Sequence, residues 1–164
     1  MIAFFSGYPL LYAATFIIAR QSPEKNNFAD RVFSLLPSAY ALAGTLYLGL
    51  QLRNLYPDYS IENIRLSIQQ PYLVSWGLLS LLFWIPLLHN KPVLSLIHSL
   101  IFFSFLAKDL LLHTFEFTAD KNVVRNDMKV YTVSLLLNLG SLVMVTLINT
   151  LLIILKRQKR IPPA

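Results

Sequence analysis

Apolar residues run along this chain in five long blocks, each ended by charge, proline or amide residues: Ile2–Ala19, Val32–Leu52, Tyr72–Leu88, Val93–Leu112 and Val130–Leu155. Crossing ~30 Å of hydrocarbon takes about 20 apolar residues, within a range of about 17–25. The pattern therefore predicts five transmembrane helices. Gly7 and Pro9 interrupt the first, and Pro37 lies near enough to the start of the second to be tolerated. The fifth is long enough to tilt or to extend past the membrane. His89-Asn90-Lys91-Pro92 alone separates the third block from the fourth. One helix through both would be about twice the membrane thickness, so this tetrapeptide predicts the turn of an antiparallel hairpin. Irregular backbone is poorly tolerated in lipid. The expected fold is all-α, a polytopic bundle forming a single integral membrane domain over residues 1–164, with a basic tail at 156–164.

Composition agrees with this pattern. The chain is 55% hydrophobic and 13% charged, where a soluble domain carries about 25% charged residues. There are no cysteines, which removes disulfides, thiolate metal sites and cysteine nucleophiles.

Charge predicts the orientation. With five spans, Arg20, Lys25, Arg31, Lys91, Lys156, Arg157, Lys159 and Arg160 fall on one side with Glu24 and Asp30. Arg53, Arg65, Lys121, Arg125 and Lys129 fall on the other with Asp58, Glu62, Glu116, Asp120 and Asp127. Eight basic and two acidic residues on one face, against five and five on the other, give net charges of +6 and 0. The positive-inside rule then puts the C-terminus in the cytoplasm and the N-terminus outside, in the cytoplasmic (inner) membrane. No basic residue precedes the first apolar block, so that block reads as an uncleaved helix rather than a secretory signal. The tail residues Lys156, Arg157, Lys159 and Arg160 are expected to meet anionic lipid headgroups. Nucleic acid is not expected as a partner, since no aromatic stacking platform accompanies the tail.

Between the second and third spans, Tyr56, Tyr59 and Tyr72 are placed as an interfacial aromatic belt. Ser60 is positioned to cap a short amphipathic helix carrying Ile61, Ile64 and Ile68 on one face. The outer segment from Thr114 to Lys129 is highly charged and reads as a solvated loop or as the ends of two long helices.

Two helix faces carry packing signals. Ser34, Ser38, Ala41, Thr45 and Gly49 recur at steps of three or four, a ladder of small side chains that admits another helix. Ser134, Asn138, Ser141 and Asn149 form a polar stripe on the fifth span, which is expected to turn inward.

The fourth span holds the candidate chemistry. At 100° per residue, His98, Phe102, Asp109 and His113 share one stripe, while Lys108 points elsewhere. His98, Lys108, Asp109, His113 and Asn138 are thus candidates for an intramembrane polar or proton path, because acid and imidazole chains are the usual parts of such relays. Asp109 lies roughly 6 Å below the predicted outer interface at 1.5 Å per residue. A structural role, with Lys108 snorkelling outward and Asp109 paired to Tyr72, Gln51 or Arg53, answers the same pattern. His98 is expected to hydrogen-bond a neighbouring helix, for example at Asn149. No zinc-hydrolase, dinucleotide or P-loop pattern occurs. No catalytic residue, metal ligand or cofactor site is therefore assigned.

Five spans in 164 residues resemble the tryptophan-rich sensory proteins in topology alone, and this chain has two tryptophans, Trp76 and Trp84. The functional expectation is a non-enzymatic membrane protein, a structural or regulatory accessory subunit of a larger membrane complex. Its expected partners are membrane lipids and other integral membrane subunits. The alternatives are a small transporter or ion-conducting unit, and a lipid or small-molecule sensor.

Overall fold

The structure is a computed structural model that describes residues 2–21, 27–57, 59, 60, 62, 64, 71–115 and 121–158. They are 92% helical, with no strand among them. In chain order, α1 is Ile2–Phe5, α2 is Tyr8–Gln21, α3 is Asn27–Ser34 and α4 is Leu36–Leu55. α5 is Pro71–Leu79, followed by a 3-10 segment at Ser80–Trp84 and by α6 at Pro86–His89. α7 is Pro92–Phe115 and α8 is Lys121–Gln158.

Three stretches are long and apolar enough to cross a membrane: Ile2–Arg20, Pro92–Leu112 and Met128–Lys156. Only 22 to 29% of each is buried inside the protein. The outward surface is therefore largely apolar, with Leu136, Leu147 and Leu151 among its exposed side chains. Such a surface is stable against hydrocarbon rather than water.

Two of the five expected spans do not meet the same standard. Pro71–Trp84 is apolar but short. α4 has 20 residues, yet it includes three glycine or proline positions, a serine, a threonine, two tyrosines and Arg53, and nine of its residues are buried. Those buried residues all fall between Leu36 and Tyr47, while Leu46, Leu50 and Leu52 are exposed.

The helices break where proline dictates. α1 and α2 are separated at Ser6-Gly7, since Pro9 has no N–H to give to the Phe5 carbonyl. The expected second span is interrupted at Leu35, whose N–H is shared between the carbonyls of Arg31 and Val32 at 3.2 and 3.1 Å. Pro37 then starts α4 as one of its first residues. The expected third span, Tyr72–Leu88, is not one helix. It tightens to 3-10 and breaks at Ile85, which is extended at ψ 133° because it precedes Pro86.

Neighbouring strands of helix pair in opposite directions. Tyr8 packs on Tyr40 and Tyr12 on Phe33, with ring centroids 4.5 and 5.3 Å apart. Ser38 hydrogen-bonds His89, Gly44 faces Ser80, and a β-carbon at Gly77 would lie 3.0 Å from the Tyr47 ring. Phe5 stacks on Phe102 at 4.8 Å, and Tyr8 reaches Ser95. The core is thus aromatic, built from Phe5, Tyr8, Tyr40, Tyr47, Phe83 and Phe102.

Candidate functional site

The deepest polar groups sit on one stripe of α7. Ser95, His98 and Phe102 are three and four residues apart, so at 100° per residue they face the same way. All three are buried against α2, α4 and the Trp76 region. His98 Nε2 lies 2.9 Å from the carbonyl oxygen of Trp76, and Nδ1 lies 2.7 Å from the Tyr40 hydroxyl. A carbonyl only accepts, so Nε2 carries the hydrogen of the neutral ring and Nδ1 accepts from Tyr40. Trp76 answers with its indole N–H, which reaches the His98 carbonyl at 3.3 Å. The two rings stack with centroids 4.8 Å apart and planes 7° from parallel. One residue pair is therefore joined three ways.

Beside it, the Ser95 hydroxyl donates to the Pro92 carbonyl at 2.7 Å. Its oxygen is then left to accept from Tyr8, 2.6 Å away. Both ring nitrogens of His98 and all three hydroxyls of this cluster, of Tyr8, Tyr40 and Ser95, are engaged. The arrangement ties α2, α4, α5 and α7 together, and its hydrogen-bonding capacity at the imidazole is used up. Asn149, the neighbour expected for His98, is not its partner; Tyr40 of α4 and Trp76 of α5 take both ring nitrogens.

A second polar cluster joins α1 to α8. Gly7 N–H donates to Ser134 Oγ at 2.8 Å, and the Asn138 amide donates to the carbonyls of Phe4 and Ser134, both at 2.8 Å. The helix break frees backbone groups of α1, and side chains of the facing helix satisfy them. The approach is close: a β-carbon at Gly7 would lie 2.6 Å from Leu135 Cα. Ser6 Oγ, Asn138 Oδ1 and Ser141 Oγ are buried and have no partner among the described residues.

The expected path residues are thus divided. His98 belongs to the α7 cluster and Asn138 to the α1/α8 cluster, with different partners. Lys108 is exposed on α7. The side chains of Asp109, His113 and Arg157 lie outside the described residues, as do Ile61, Ile68, Lys159 and Arg160. Lys156 is exposed at the end of α8.

The small-residue ladder is divided too. Ser38 and Ala41 are buried inside the bundle, and Ser38 Oγ lies 2.6 Å from His89 Nδ1. Ser34, Thr45 and Gly49 are exposed. Thr45 accepts from the Trp84 indole at 3.0 Å, and a β-carbon at Gly49 would meet nothing within 4 Å.

Sequence reasoning missed Tyr8, Tyr40, Ser95 and Trp76. The available signal was Ser95, which lies three residues before His98 on the same stripe. Among the described residues, no three His, Cys, Asp or Glu side chains converge as metal ligands would. No protein-family model, curated protein or solved structure matches this chain.

Proposed function

We propose that this protein is a non-enzymatic accessory subunit that crosses the cytoplasmic membrane five times and assembles with other membrane helices. The N-terminus faces outward and the C-terminus the cytoplasm. The alternating helix directions and the charge split of the loops support five crossings. The observation that carries the subunit reading is Gly49. A glycine inside a helix costs about 0.5–1 kcal/mol relative to alanine. Here the missing side chain makes no room for any neighbour among the described residues. Gly140, on the outward side of α8, is open in the same way. In lipid, helices associate through close backbone approach at such small residues.

The test is affinity purification in mild detergent. The wild-type chain is expected to bring down a stoichiometric set of membrane partners, and Gly49→Leu to come down alone and folded. A wild-type chain that purifies alone would reject the reading.

A small transporter is the second reading, favoured by the unpartnered oxygens of Ser6, Asn138 and Ser141 beside a helix break. Unwound backbone next to buried oxygens is a common setting for transported ions. Proteoliposomes that show no ion flux changed by Asn138→Leu would remove it.

A further inference from the structure

A crevice of about 300 Å³ opens between α7 and α8, lined by Phe103, Leu106, Ala107, Leu110, Met128 and Tyr131. Its walls are apolar. Two shallower depressions share lining residues with it. One runs along α7 past Lys108 and shares Phe103 and Ala107 with the crevice. The other runs along α8 past Lys129 and shares Met128. Both lysines are exposed.

We propose that this crevice binds one anionic phospholipid, with an acyl chain between α7 and α8 and the phosphate held by Lys108 and Lys129. The proposal does not depend on the subunit reading. An apolar crevice with an exposed lysine in the depression on each side of it matches a molecule that is hydrocarbon along most of its length and anionic at one end. The lysine stems are long enough to lie along the depressions while their charges reach headgroup level. A partner helix in the same place would have to bury both ammonium groups, at a cost that a lipid phosphate avoids.

The full-length chain, delipidated in detergent, is titrated with dioleoyl phosphatidylglycerol or dioleoyl phosphatidylcholine, and bound lipid is counted by native mass spectrometry. One phosphatidylglycerol per chain is expected, with phosphatidylcholine bound more weakly. Lys108→Gln and Lys129→Gln should each weaken phosphatidylglycerol on the order of fivefold, since a lysine near an anionic surface contributes about 1 kcal/mol. Ala107→Trp fills the crevice and keeps both lysines, and it should abolish the adduct. Equal binding of the two lipids, or an unchanged adduct in the double-lysine variant, overturns the proposal. So does a protein dimer that forms in place of the adduct and disappears with Ala107→Trp. The lysine substitutions lie on exposed positions, so their result stands even if Ala107→Trp does not fold.

Discussion

At Gly7 a single hydrogen atom in place of a methyl group sets how closely α1 and α8 approach. A β-carbon there would be 2.5 Å from Leu135 N, which is backbone and cannot swing aside. Gly7→Ala must therefore push the helices apart and stretch the Gly7–Ser134 and Phe4–Asn138 bonds. It is expected to cost about 1–3 kcal/mol, the range for overpacking. Ser134→Ala removes one bond without a clash and should cost about 0.6–1.7 kcal/mol, as for hydrogen bonds between membrane helices. Thermal unfolding in detergent ranks the two, and equal midpoints would mean that the close approach is not limiting. His98 gives a matching comparison. His98→Leu leaves the Tyr40 hydroxyl and Trp76 carbonyl unpaired, while His98→Gln restores part of the bonding. The expected order of melting temperature is wild type, Gln, Leu. Leu at or above Gln would show that packing against Trp76, not hydrogen bonding, is what His98 supplies. His98 stood out in the sequence because an imidazole interrupts an apolar run. Tyr40 did not, because tyrosine in such a helix also reads as an interfacial anchor, and its partner lies 58 residues away.

Among the elements, proline was the most legible feature. The breaks at Ser6-Gly7, Leu35 and Ile85 each lie within three residues before Pro9, Pro37 or Pro86. Pro92 likewise opens α7 where the sequence placed the end of a turn. Helix number was less legible. Counting apolar residues treats a lipid-facing helix and a half-buried one alike, and the first part of α4 is buried, where Ser38 and Tyr40 bond His89 and His98. The ladder on α4 shows the same limit. Its spacing said that small residues share a face, but the bundle buries Ser38 and Ala41 and leaves Thr45 and Gly49 exposed, so the face is partly consumed. Ala41→Leu should therefore lower the stability of the isolated chain by about 1–3 kcal/mol through overpacking. Gly49→Leu should leave it within about 0.5 kcal/mol. Denaturation of the two purified variants checks this. A large loss at Gly49 would mean that the open position is closed by another part of the same chain.

For the molecule as a whole, the proposed topology is tested with single cysteines in a chain that otherwise has none. Cysteines at Ser60 and Asn122 should label from outside intact cells, and one at Lys159 should label only after permeabilisation. Exterior labelling at Lys159, or protection at Asn122, is incompatible with five crossings in the proposed orientation. The contact between Asn138 and the Phe4 carbonyl also bears on how the protein is made, because it joins residues 134 positions apart. At about 5–20 residues per second, the ribosome needs about 7–27 s to travel from one to the other. Throughout that interval the first helix is already synthesised, and the backbone groups freed at its break have no partner of their own in the chain. The insertion machinery, or water within it, must stand in for Ser134 and Asn138 until α8 emerges. A ribosome stalled before residue 134 would hold a bundle that cannot close.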